Sequence, residues 1–523
     1  MKKTILFFIS IAMVLAGMAQ GIYNSGASLV SQSGNYVVVG AGNFTLTSRS
    51  ATTPATFANL KIVGGASLTI EPQSFLTVNG TLANEANSSS LFIQSTAAGT
   101  GSLLNSTASV SATAERYIAG WTDANHGWHF LNSPVASQAI SSFHTAGSGN
   151  DFYKWDEPTN EWINRTATGG GLNGSFETEF FIGRGYLVAN SATSTKTFSG
   201  ILNVANVELT GLTNTPGKTN RGWHLVGNPF SSAIKWTQGT WVKTNVAAFP
   251  QIWNESTASY KVLAGGGIIP AQNGFMVYVA GGGSLTIPAD ARVHSDSAWY
   301  KNSASENEIV LVARDPEGKT AQESIINFNP ASTEDFDMEH DSYFMAGFAP
   351  MFYSVSQNQL FALNTLPEIK DEMVVPMGFV KNQSSSFSIE LTQNLPGQTL
   401  YLVDLKTKNE HKISESPYNF TSVNGDNPNR FLLKFGTTGI GETPKQQPIV
   451  VYASGNTLYF SNPKGIVLKG DLFVYNTMGQ TLLQQKLTAN TLTELNLNPS
   501  TGYYLVKVVT ADSAYTSKVF IQR

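Results

Sequence analysis

The densest run of ionisable side chains is Glu334-Asp335, Asp337, Glu339 and Asp341, interleaved with Phe336, Met338 and His340. Successive side chains of a strand point to opposite faces, so a strand here puts Asp335, Asp337, Glu339 and Asp341 together. Their mutual repulsion then invites a hard cation such as Ca²⁺. The spacing imitates the start of a calcium loop, but the obligatory Gly and the later bidentate Glu are missing, which leaves a solvated loop as the plainer reading. His126 and His129 lie three apart without a third ligand nearby in sequence. No Gly-x-Ser-x-Gly elbow, His-Glu-x-x-His pair or phosphate-binding loop occurs. These residues imply no catalytic constellation and no cofactor beyond Ca²⁺.

Aromatic side chains offer a different chemistry, because sugar rings stack on exposed aromatic faces. The chain holds nine tryptophans and is 11% aromatic. Trp128 and Trp155 recur as Trp223 and Trp253 within an internal repeat, which argues for packing positions of a shared fold. Trp121, Trp241 and Trp299 have no repeat partner and are the candidates for a ligand platform.

Composition limits the partners. Of 523 residues only 13% are charged, the net charge is −4, and cysteine is absent. No basic footprint for nucleic acid exists. Disulfides, thiolate chemistry and Cys-ligated metals are excluded.

The elements that must position these groups read as all-β. Residues 1–19 combine a basic start, a short apolar run and small residues before the expected cut, as a secretory signal peptide does; no later segment resembles a membrane span. Residues 20–115 alternate three- or four-residue apolar runs with Gly- and Asn-containing turns, a pattern expected of a short β-solenoid, with an irregular sandwich as the alternative. Gly127-Trp128-His129 returns as Gly222-Trp223-His224, Trp155…Trp162 as Trp253…Tyr260, and Gly185-Tyr186 as Gly274-Phe275. Two copies of one β-unit therefore span 116–203 and 211–293, and each aromatic pair is expected to meet across a hairpin. Residues 305–435 read as an antiparallel β-sandwich, 436–448 as a linker, and 449–523 as a small antiparallel sandwich.

The last segment carries a resemblance. "VYNTMGQ" (Val474–Gln480), "STGYYLVKV" (Ser500–Val508) and the terminal "SKVFIQR" resemble the C-terminal sorting domain of type IX secretion cargo, with Tyr475, Gly479, Gly502, Tyr503 and Lys518 in the motif positions. The "GWHLVGNPF" phrase resembles a segment of surface proteins of the same secretion class. The resemblance implies an Ig-like terminal sandwich, a Bacteroidota-like cell, and Sec export followed by handling by the type IX machinery. It also implies removal of the domain and release or surface attachment of the cargo.

The expected product is an extracellular or cell-surface β-protein, non-enzymatic, acting in adhesion to glycan or matrix. A secreted polysaccharide hydrolase and a structural envelope protein are the alternatives. The hydrolase is disfavoured along the solenoid, where Glu71, Glu85 and Glu115 are the only acids between residues 22 and 115.

Overall fold

The structure is a computed structural model that describes residues 21–24, 36–40, 42–263, 267–296, 307–370, 373–436, 450–454, 457–461, 470–487, 492–497, 500–510 and 514–521. The expected signal peptide, Trp299 and nearly all of the expected linker lie outside them. The described residues form β-sheets throughout, with no α-helix among them.

The N-terminal region is a solenoid with three strand-bearing faces. One face stacks Gly21–Asn24, Tyr36–Val39, Asn59–Ile62 and Leu82–Asn84 in parallel. A second stacks Gly42–Leu46, Ala66–Ile70 and Leu91–Ile93, and a third Ala55–Phe57, Phe75–Val78 and Ser102–Asn105. Strands this short cannot hold a core singly; each coil is stable because its neighbour covers Val37, Phe44, Leu60, Leu68 or Leu76. The stack is capped where Ser111–Ile118 extends the second face and pairs antiparallel with Ser194–Ile201. The first repeat copy is an excursion between those two strands, and its Phe143, Phe152, Phe180 and Tyr186 continue the solenoid core.

The two copies share one strand order. Trp128–Leu131 pairs with Tyr186–Ala189, which pairs with Asp151–Asp156 and then Glu161–Asn164. Trp223–Gly227, Gly274–Ile287, Gln251–Asn254 and Ser259–Val262 repeat that path. Trp155 lies opposite Trp162, and Trp253 opposite Tyr260, in register. After the second copy the chain straps back onto the solenoid. Arg292 Nη1 donates to Asn105 O (2.7 Å), and His294 sits between the hydroxyls of Ser102 (2.8 Å) and Thr77 (3.0 Å).

The copies also hold each other through their hairpin tips. Glu157 reaches from the first tip into the second copy. There it accepts hydrogen bonds from Thr213 Oγ1 (2.5 Å), Thr215 N (2.7 Å), Thr215 Oγ1 (2.8 Å) and Gly222 N (2.8 Å). Burial alone would raise its pKa, but these donors outweigh burial and hold it at about 2. Its repeat equivalent, Glu255, reaches the other way and accepts from His129 Nδ1 (2.6 Å).

Residues 308–435 build a single curled sheet. Phe379 on Val374–Val380 meets Phe387 on Ser386–Gln393 at 4.9 Å, although these strands lie far apart in the hydrogen-bonded order, so the sheet folds over itself as a sandwich. It is not purely antiparallel as expected: Ala321–Phe328 and Gln359–Leu366 run parallel. A parallel pair needs a long crossover, and residues 329–358 supply it. Arg430 closes one end with a buried two-pronged ion pair to Asp404 (3.0 and 2.8 Å). In the C-terminal region a three-stranded and a four-stranded sheet enclose Leu458, Phe460, Leu472, Val474, Val506 and Ile521.

Two stability predictions follow from these contacts. Glu157→Gln should cost about 3 kcal/mol in urea unfolding at pH 7. The folded carboxyl titrates below its unfolded value, so that contribution is full above about pH 4.5 and fades as pH falls towards 2; an unchanged midpoint at pH 7 refutes the interlock. Burial pushes His294 down to about 4. The unfolded imidazole takes a proton that the folded one refuses, so stability is lost as pH falls from about 6.5 to 4. The advantage of wild type over His294→Gln should therefore shrink by roughly 2–3 kcal/mol between pH 7.5 and 4.5, and a constant gap refutes the buried neutral state.

Candidate functional site

Where the two copies meet, their aromatic side chains do not close completely. Phe130, on the first strand of the first copy, lies at the middle, its ring 6.2 Å from Trp162 of its own copy and 6.2 Å from Tyr260 of the other. Trp128 and Tyr153 (5.9 Å apart) wall one side, and Trp253 walls the other, 5.2 Å from Tyr260. These rings enclose a cleft of about 320 Å³.

The third wall arrives from the crossover of the curled sheet. The N–H groups of Phe348 and Ala349 both donate to Ala258 O at the second hairpin tip (2.9 and 3.0 Å), which lays Ala346, Gly347 and Phe348 along the rim. Gly347 is required there: a Cβ would lie 2.7 Å from Ala258 O and 2.9 Å from the Trp253 ring. Phe348 closes on Trp253 edge-on at 5.9 Å.

The opposite junction is sealed. Trp155 Nε1 donates to Trp223 O (2.7 Å), and the Tyr278 ring beside Trp223 is covered by Tyr343 (4.9 Å) and Phe336 (5.6 Å). On the cleft side the equivalent bond is missing: Trp253 Nε1 is buried without a partner among the described residues.

Among the described residues no charged side chain lines the cleft. Burial raises the phenol pKa of Tyr153 and Tyr260 above the usual value, so both stay neutral throughout the physiological range. Apolar faces dominate, with the Trp162 indole N–H and the Tyr260 hydroxyl as polar handles. Neither makes a hydrogen bond among the described residues. Such a site suits an uncharged ligand with ring-sized apolar faces.

Of the three tryptophans expected to form a platform, Trp299 lies outside the described residues, and Trp121 and Trp241 lie apart from the cleft. Trp241 packs 4.6 Å from Trp236, donates its N–H to Gln238 O (2.8 Å), and has Lys243 beside the pair. Trp121 is 39% exposed on the loop before the first strand of the repeat, and neither residue lines the cleft. The site instead uses the repeat-equivalent aromatics Trp128, Trp162, Trp253 and Tyr260, whose recurrence marks packing and walling at once.

The acidic run takes its loop reading rather than its strand reading. Residues 334–340 form turns in the crossover rather than a strand, so alternation does not gather Asp335, Asp337, Glu339 and Asp341 on one face. Asp337 Oδ2 accepts from Thr333 N (2.6 Å), while Asp341 accepts from Asp337 N (2.8 Å) and Thr365 N (2.7 Å). Burial raises the Asp341 carboxyl to about 6 despite these donors. His126 turns to Asp123 and Lys319 O, away from the Glu255 partner of His129. Among the described residues no group of three or more His, Asp or Glu is arranged to hold a metal.

The terminal motif residues cluster in part. Asn476 Oδ1 accepts from Met478 N (3.0 Å) and Gln480 N (2.9 Å), closing the turn after Tyr475 in which Gly479 takes φ +80°. Gly502 opens the strand whose Tyr503 faces Phe520, and Lys518 Nζ lies 4.1 Å from the centre of the Tyr503 ring.

Comparison with known proteins gives two family matches. A family described as "Domain of unknown function (DUF8693)" matches residues 25–264 and 251–435, and the "Secretion system C-terminal sorting domain" matches residues 456–522. No curated protein matches the chain. Among solved structures, "Biofilm associated protein - BSP domain" aligns over 78% of this chain and 98% of its own at 9% identity and a TM-score of 0.17, too low to show a shared fold. No helix among the described residues is long and apolar enough to cross a membrane. The chain belongs to the DUF8693 family and carries a C-terminal sorting domain that makes it a type IX secretion cargo, exported to the cell surface or the extracellular space.

Proposed function

We propose that the exported chain is a non-enzymatic binding protein that acts in adhesion to glycan or to extracellular matrix. The observation that carries this reading is the uncharged aromatic cleft at the junction of the two repeated units. Its walls come from both copies and from the curled sheet, so three separately folded parts of the chain meet to shape it. A rigid, preorganised concavity rich in Trp and Tyr is how binding surfaces gain affinity at little ordering cost. Export supports the same reading, because a cargo carried outside the cell meets polysaccharide and matrix there.

The test is a glycan and matrix-protein array probed with the full exported chain, with Ca²⁺ and with chelator. Specific binding that survives chelation is expected, since no carboxylate among the described residues lines the cleft. Silence across the array in both conditions overturns the proposal.

A further inference from the structure

We infer that the aromatic cleft takes a single neutral hexose residue of a glycan, held between Trp162 of the first copy and Tyr260 of the second. The inference rests on the binding reading above and narrows it to one ligand chemistry and two donors.

Three observations carry it. The cleft encloses about 320 Å³, at the low end of the range for small-ligand sites, about 300–1,000 Å³; that suits one ring rather than an extended oligosaccharide. The lining is aromatic and uncharged. The C–H faces of a pyranose match the electron-rich faces of such rings, whereas a uronate or sulfated sugar would be desolvated there without a counter-charge.

The third observation separates a sugar from a purely apolar occupant or a quaternary ammonium, for which a ring-lined pocket is otherwise suitable. Tyr260 is 7% exposed and lines the cleft, yet its hydroxyl makes no hydrogen bond among the described residues. The half-buried Trp162 lines it too, with its indole N–H equally unused. Neither atom is among the buried polar groups without a partner, so both stay open to solvent at the cleft. An occupant that displaces that solvent without replacing its hydrogen bonds loses affinity, whereas one with hydroxyl oxygens pairs both while its carbon face covers Phe130 between them. An alkyl side chain or a trimethylammonium group would leave both donors empty.

The experiment is a titration of the full exported chain, followed by tryptophan fluorescence, with the methyl glycosides of glucose, galactose and mannose, with glucuronate and with choline. Saturable binding of at least one neutral glycoside is expected, with no response to glucuronate or choline. Tyr260→Phe removes only the hydroxyl and should weaken that binding about tenfold, the worth of one hydrogen bond. Ala346→Trp, filling the cleft from its exposed rim, should abolish it. A preference for choline, or glycoside binding unchanged in both variants, overturns the inference while a positive array leaves the adhesion reading standing. Loss of binding in Trp241→Ala alone places the site elsewhere and also overturns it. No glycoside response with a silent array removes both.

Discussion

Two glutamates at equivalent hairpin tips, each reaching into the other copy of the repeat, hold the middle of this protein together. Glu157 gathers four donors from the second copy, and Glu255 binds His129 of the first. The exchange sets the distance between the two aromatic hairpins and therefore whether a gap exists between them. A carboxylate surrounded by donors that have no other partner strongly resists both protonation and displacement. The walls of the cleft are consequently positioned by polar contacts lying outside it, and the cleft itself is left free of charge.

The remaining architecture braces this junction from both ends. On one side the first copy grows out of the solenoid cap and shares its core, while the His294 strap ties the second copy to the same solenoid. On the other side the crossover of the curled sheet delivers Phe348 to the second hairpin tip. The parallel pair that forces a long crossover is thus also what supplies the third wall. The sorting domain has a core of its own, consistent with a tail that serves export rather than shaping the cleft.

Local pattern made much of this legible in the chain. Short apolar runs with Gly and Asn turns announce solenoid coils, because each coil is specified by its own few residues. The Trp155–Trp162 and Trp253–Tyr260 hairpins follow from a seven-residue spacing, and the terminal motif is read directly. Long-range contacts were not legible. Nothing near Gly347 in sequence says that it lies against Trp253, and nothing distinguishes Glu157 from other turn glutamates until its partners from residues 213–222 arrive. In the acidic run the strand alternation that would gather the carboxylates does not apply, because the chain turns there within a crossover, as the loop alternative has it. Trp241 misled because lacking a repeat partner is no measure of exposure. Repetition was taken as a sign of packing alone, whereas in a duplicated unit the same residue can be sealed in one copy and open in the other.

That last asymmetry has a consequence for valency. If the unit were a separate chain pairing with an identical partner, its two junctions would be equivalent, both open or both sealed. Fusion into one chain let them diverge: Trp155 is fastened to Trp223, while Trp253 lines the gap and has no such bond among the described residues. Each molecule then offers one such aromatic junction where a symmetric dimer would offer two. If the cleft binds as proposed, grip on a repetitive surface through this junction would come from many copies displayed side by side, and its avidity would follow how densely the protein is presented.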